Sequence, residues 1–310
     1  MRKEWKYASL FVVINADDFG RSEKINHAII RAHTRGVLTS ASLMVGEPFS
    51  DHAISLACRH PALGVGLHLT LSEGVPVLDR RHVAPLLTPN GRLSPNLFTA
   101  GLRYTFSKTA QKAISTEMEA QFARFAERGL ARSHVDGHQH FHMHPFLWDK
   151  MLELCVQYDF SCVRVPREEL RAHFRSGRRA ITLDTVEAIF FRVLAQRNLK
   201  KLYARGFFVC DRVYGMLQTG KMTANYTLAL LERLKGHTNE IYFHPGSDYA
   251  AKLPKDQQNN GMDDVEYAAL LDPRLKDKLR EFNIARGTYA EIRQWASQAS
   301  AHTPEARSPR

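Results

Sequence analysis

Short apolar runs rich in Val, Ile, Leu and Thr recur along this 310-residue chain at 10–16, 38–45, 64–69, 133–138, 162–165, 207–209 and 240–243. Helical patterns fill the intervals between them. Strands separated by helices lie side by side as parallel strands joined by crossovers, so this alternation predicts a parallel α/β fold. The length suits a (β/α) barrel built as one unit.

The intervening helices can be placed from their signals. Ser22 caps a helix that turns Ile25, Ala28, Ile29 and Ala32 toward a core, with Gly36 at its end. Over 109–128, Ile114, Met118, Phe122 and Phe125 form one stripe, and Gly129 follows. Pro145 opens a helix bearing Leu147, Met151, Leu154 and Tyr158, while Thr288 and Glu291 form a capping box for a last helix carrying Ile292 and Trp295. The stretch 75–102 holds Pro76, Pro85, Pro89, Pro95, Gly91 and Gly101, and is expected to be an irregular insertion covering a substrate. No repeat or linker divides the chain. A single domain is expected over 1–296, followed by a disordered polar tail over 297–310.

The first residues are charged, and the apolar run after them is too short for a secretion signal or a membrane span. A cytoplasmic location is therefore expected. Cys58, Cys155, Cys162 and Cys210 show no paired spacing and read as reduced, mostly buried thiols. The net charge of +11 biases the surface toward anionic partners without choosing between nucleic acid and membrane.

Chemistry concentrates where the expected strands end. The first strand runs into Asn15-Ala16-Asp17-Asp18-Phe19-Gly20, which puts two adjacent carboxylates at the active-site end of a barrel strand. Taken alone, the pair also suits a turn with an Asx-type cap. Residues 134–144 hold five histidines and Asp136. If this segment starts as a strand, His134, Asp136 and His138 share one face. Imidazole and carboxylate together suit Zn²⁺ or another divalent metal. His68 and His244 end two further strands. Either alone is most simply a structural histidine, but four strand ends delivering Asp or His to one rim is the distribution of a barrel active site.

Serine-hydrolase elbows, phosphate loops, dinucleotide fingerprints and zinc-protease helices are all missing from the sequence. Metal-assisted hydrolysis remains, with the bond left open. A phosphodiesterase would need a second metal about 3.5–4 Å from the first and more carboxylates than these segments offer. A nucleic-acid-binding protein would need a recognition motif or an aromatic–basic series, and none is found, so no nucleic-acid partner is expected.

The Asn-Ala-Asp-Asp-Phe-Gly start, the Gly66-Leu67-His68-Leu69-Thr70 strand and the His134 to His142 segment resemble the YdjC-like carbohydrate deacetylases over most of the chain. The stretches 38–45, 103–107 and 163–168 further resemble the hopanoid-biosynthesis-associated, HpnK-like subgroup. The resemblance implies a distorted (β/α) barrel related to NodB-type deacetylases. It also implies one divalent ion, Zn²⁺ or Mg²⁺, on Asp18, His68 and His138, with Asp17 as general base and His244 as general acid. Asp136, His140 and Arg164 are candidates for orienting these groups or touching substrate. The implied substrate is an N-acetylated amino sugar, either N-acetylglucosaminyl hopanoid or a chitobiose-type oligosaccharide, and a homodimer is also implied. A lipid-borne substrate would bring the chain to the inner membrane face. The mixed basic and apolar stretch 189–208 suits such contact, although two helices packed on the barrel would read the same way.

Overall fold

The first apolar run folds as strand β1 (Leu10–Phe19), buried along nearly its whole length in the computed structural model, which describes residues 8–168, 194, 196, 199, 201–246 and 264–302. The other strands are β2 (Ser40–Leu43), β3 (Gly64–Leu69), β4 (Val135–Gly137), β5 (Arg212–Tyr214), β6 (Thr238–Phe243) and β7 (Ile284–Arg286). The described helices are α1 (Glu23–Arg35), α2 (Ser50–Arg59), α3 (Arg80–Val83), α4 (Leu97–Phe106), α5 (Lys108–Ala126), α6 (Pro145–Gln157), α7 (Ala224–Leu231), α8 (Val265–Leu271), α9 (Pro273–Glu281) and α10 (Tyr289–His302).

All strand pairs are parallel, in the order β4-β3-β2-β1-β6-β5, and β7 pairs with the amino-terminal half of β1. Beyond β4 the ring continues through single bridges, Val135 to Val163 and Cys162 to Phe208. From Phe208 the chain runs into β5, which returns to β6. The result is one distorted (β/α) barrel, as expected.

Segments 162–165 and 207–209 therefore contribute single bridges instead of the expected strands. Phe208 pairs with Cys162, and four residues later the same chain is aligned with β6, so neither segment stays in register long enough to build a ladder. Strands β5 and β7 escaped the sequence reading because three residues are too few to show alternation.

Alternation along β1 divides the interior. Val12, Ile14 and Ala16 join the larger core under the helices, whereas Phe11 and Val13 join a second cluster with Cys162, Cys210, Val213, Tyr242 and Tyr289 inside the ring. Continuing that inward set with period two gives Asn15 and then Asp17. The barrel interior thus changes from apolar at the amino ends of the strands to polar at their carboxyl ends. Gly66 makes room for this layer, since a Cβ there would lie 2.4 Å from the His134 ring.

Local signals act as read. Ser22 Oγ accepts from Ile25 N at 3.2 Å, a cap that contributes about 1 kcal/mol. Thr288 N donates to Glu291 Oε2 and Glu291 N donates to Thr288 Oγ1, which closes the capping box. Helix α10 runs past Ala296 to His302, so it takes in the first residues of the expected tail, and 303–310 lie outside the described residues. The insertion 75–102 is partly regular, containing α3, a 3₁₀ turn at Ala84–Leu86 and the start of α4. Most of 189–200 also lies outside the described residues, while Leu199, Leu202 and Phe207 are buried in the core. No described helix is long and apolar enough to cross a membrane.

Candidate active site

Neighbouring strand residues normally face opposite ways, yet Asp17 and Asp18 both reach the rim. The backbone of Asp18 adopts φ 65°, and the pairing of β1 with β2 shifts register between Ala16 and Phe19. This irregularity turns Asp18 toward the groups that Asp17 already faces, a strained conformation of the kind found at functional sites.

His68 stands near the end of β3 and His138 directly follows β4. Asp18, His68 and His138 each place a ligand atom within 4.8 Å of the others, and all three are buried. Asp18 Oδ1 lies 3.1 Å from His138 Nδ1 and 3.7 Å from His68 Nε2, and it has no hydrogen-bond partner. His68 Nδ1 donates to Asp136 Oδ1 at 2.8 Å, which aims Nε2 at Asp18. An orphaned carboxylate oxygen facing two imidazoles is a donor set that fits a divalent ion.

Charge points the same way. Asp17, Asp136 and Glu240 are three buried carboxyl groups around one fully buried guanidinium, Arg164, and buried Asp18 adds a fourth, whose Oδ2 accepts from the half-buried Arg21 at 3.0 Å. Burial opposes protonation of His68, but Asp136, Asp17 and Asp18 outweigh it and raise its pKa. The pocket therefore attracts positive charge, and a proton and a metal compete for the same imidazole. A second group, Glu23, His27 and His52, also clusters within 4.8 Å. There Glu23 and His27 are exposed, and Asn26 Nδ2 sits 3.4 Å from His52 Nδ1.

Asp17 is held on several sides. Arg164 donates to both of its oxygens at 2.8 Å, and Asn15 Nδ2 donates to Oδ1 at 2.8 Å. Burial would raise its pKa, yet Arg164 and His68 more than offset this, so Asp17 stays below the usual carboxylate range. The same guanidinium reaches Asp136 Oδ2 at 2.8 Å and Glu240 Oε1 at 2.6 Å. Ser42 donates to Asp136 Oδ2 at 2.7 Å and, its one proton spent, accepts from Asn15 and His134.

His244 follows β6 and places Nε2 3.9 Å from Asp17 Oδ2. Burial would lower its pKa, but Glu266, with Nδ1 to Oε2 at 3.6 Å, and the two aspartates raise it. Asp17 is thus ionised where His244 holds its proton, and 3.9 Å is too long for a direct hydrogen bond.

The structure brings Asp17, Asp18, His68, Asp136, His138, Arg164 and His244 together. His140 takes a different place. Its Nε2 lies 2.9 Å from the Tyr242 hydroxyl, and burial together with Arg164 keeps the ring neutral. The sequence reading missed Asn15, Ser42, Glu240 and Glu266 as members of this network. Glu240 carried only a weak signal, an acid directly before the apolar run Ile241-Tyr242-Phe243 of a strand that is buried along its length.

Parallel strands closed into a ring, with carboxylates and imidazoles gathered at their carboxyl ends, define a (β/α)-barrel protein with a candidate metal centre. The chain belongs to the YdjC-like protein family, whose model matches residues 11–281. A "Carbohydrate deacetylase" of Geobacillus stearothermophilus is 30% identical over 292 residues, covering 91% of this chain and 98% of that one. A second, from Brevibacillus brevis, is 41% identical over 147 residues, 47% of this chain and only 56% of the relative's length. A third, from Mus musculus, is 34% identical over 251 residues, covering 76% and 77%. A solved Enterococcus faecalis V583 protein, described in terms of cellobiose-phosphate cleavage, shares the fold. Its TM-score is 0.64 at 22% identity, over 92% of this chain and 99% of that one.

Proposed function

We propose that this chain is a metal-dependent N-deacetylase that hydrolyses the acetamide of an N-acetylated amino sugar, with N-acetylglucosaminyl hopanoid as its substrate. The observation that carries the reading is the pairing of an orphaned Asp18 oxygen, aimed at His68 and His138, with an Arg164-clamped Asp17 opposite His244. Relatives named as carbohydrate deacetylases support removal of an acetyl group from a sugar. The lipid carrier is supported by the subgroup-like stretches 38–45, 103–107 and 163–168.

Asp18, His68 and His138 would hold the ion, and two imidazoles among three donors favour Zn²⁺ over Mg²⁺. Such an ion supplies Lewis-acid polarisation of the amide carbonyl and acidifies water. Asp17 takes a proton from the water that attacks the carbonyl carbon, and Arg164 keeps that carboxylate ionised and aimed. His244, kept protonated beside Glu266, donates its proton to the amide nitrogen as the C–N bond breaks, leaving acetate and a free amine. Buried Asp136 fixes the tautomer of His68 through Nδ1.

Acetate release tests the reading, with N-acetylglucosaminyl hopanoid, chitobiose and N-acetylglucosamine offered to the protein in Zn²⁺, Mg²⁺ or chelator. The expected result is chelator-sensitive release from the lipid. Release from chitobiose alone would keep the deacetylase and discard the lipid substrate. No release from any of them would overturn the proposal.

A further inference from the structure

Helix α4 is apolar on both faces. Ala100 and Tyr104 are buried against the barrel, as an amphipathic helix requires. On the opposite side Phe98, Leu102 and Phe106, spaced four residues apart, form a continuous stripe that is 75%, 44% and 78% exposed. Two phenylalanines left this open on one helix face are a cost in water that nothing among the described residues offsets.

The sequence flanking the stripe is cationic. Residues 80–116 contain Arg80, Arg81, Arg92, Arg103, Lys108 and Lys112 and no Asp or Glu, in a chain with 32 acidic residues. Arg81 and Arg92 are engaged with Asp79 and Glu47, while Arg80, Arg103, Lys108 and Lys112 are exposed. Arg103 and Lys108 bracket the end of α4 that carries Phe106, so the apolar groups and the positive charge lie on the same element.

The position of the helix matters as well. Thr105 Oγ1 lies 3.0 Å from His144 Nε2, and the Tyr104 hydroxyl donates to Leu71 O at 3.0 Å. His144 closes the segment that begins with His138, and Leu71 lies three residues past His68. Helix α4 therefore contacts the segment that follows β3, the strand of His68, and the end of the segment that begins with His138, while the stripe is exposed.

We propose that the Phe98–Leu102–Phe106 stripe of α4 docks on an anionic lipid bilayer, inserting its apolar side chains at the interface while the adjacent lysines and arginines meet the lipid phosphates. A protein partner with a plain apolar groove would not call for a flanking sequence that is basic and acid-free over residues 80–116, whereas an anionic membrane does. The element differs from the 189–208 stretch considered from sequence. Docking would place the rim of the barrel at the membrane whether or not the substrate is lipid-linked, so it stands apart from the deacetylase assignment.

The test is co-sedimentation of the full chain with vesicles of equal phosphatidylglycerol and phosphatidylcholine, and with pure phosphatidylcholine. The wild type is expected to bind the anionic vesicles and to be released by high salt. Phe98→Ser/Leu102→Ser/Phe106→Ser is expected to lose binding roughly tenfold or more. Phe98→Leu/Phe106→Leu should retain most of it, and Arg103→Glu/Lys108→Glu/Lys112→Glu should lose it with an unchanged melting temperature. Failure of the wild type to bind anionic vesicles, or equal binding by the triple serine variant, overturns the proposal. So does a concentration-dependent dimer that the serine substitutions abolish while vesicles stay unbound, an outcome that would assign the stripe to a second copy of the chain.

Discussion

Replacing Arg164 by Met tests whether one guanidinium holds the polar layer together. Arg164 is fully buried and bonded to Asp17, Asp136 and Glu240, so its removal leaves three carboxyl groups without their shared counter-charge. Removing one partner of a buried ion pair costs about 3–5 kcal/mol, and at roughly 2–4 °C per kcal/mol the melting temperature should fall by about 6–20 °C. The sign with pH follows from linkage. Without Arg164 the folded-state pKa values of Asp17 and Asp136 rise, so the variant loses stability as pH climbs through those raised values. The deficit against wild type should be smallest in acid, where these carboxyl groups are protonated in both proteins, and largest above neutrality. Arg164→Lys keeps the charge but not the fork, and should fall between the two. Calorimetry of all three proteins across pH reads this out. If the methionine variant melts within about 2 °C of wild type at pH 8, the clamp does not hold the layer and the account is wrong.

His138→Ala should lose bound divalent metal, read by mass spectrometry of the dialysed protein. Asp17→Asn should keep the metal and lose about 10²–10⁴ in rate, and full activity there would discard Asp17 as the base. Burial pushes Glu168 up to about 7 despite its bond from Leu217 N, so wild-type stability should drop as pH rises from 4.5 through 7. Glu168→Gln should remove that drop, about 3 kcal/mol, and parallel melting curves for the two proteins from pH 5 to 8 would contradict it. Cys58 is exposed while Cys155, Cys162 and Cys210 are buried, so a thiol reagent should label one site quickly and three only on unfolding. Fast labelling of a second thiol in the native protein would refute that burial pattern.

The candidate site residues at the rim were legible because each ends an apolar run. Asp17, Asp18, His68, His138 and His244 all sit where a barrel's strands deliver side chains, and spacing alone locates a strand's end. Their partners were not legible. Whether Glu240 meets Arg164 depends on β6 lying beside β1 with Val13 opposite Glu240, and register across 227 residues leaves no local mark. Ser42 looked like an ordinary strand residue until β2 placed it between Asn15 and Asp136. The turn of Asp18 toward Asp17 was likewise hidden, since period-two reading assigns the two to opposite sides. The outward face of α4 began inside the proline-rich stretch 75–102 that reads as loop, although its four-residue spacing of Phe98, Leu102 and Phe106 was present in the sequence.

The pairing of β1 sets an order on how the molecule comes into being. As the chain is synthesised, residues 10–19 emerge early, and β2, β3 and β4 can assemble along one edge within the next hundred or so residues. The other edge waits for Thr238–Phe243, and the remaining amino-terminal portion waits for Ile284–Arg286. Loop closure over such distances is slow, and an unpaired strand edge is a template for wrong partners. Until β6 is made, the strand that carries both rim carboxylates is an open seam, and any other extended chain competes with β6 to close it.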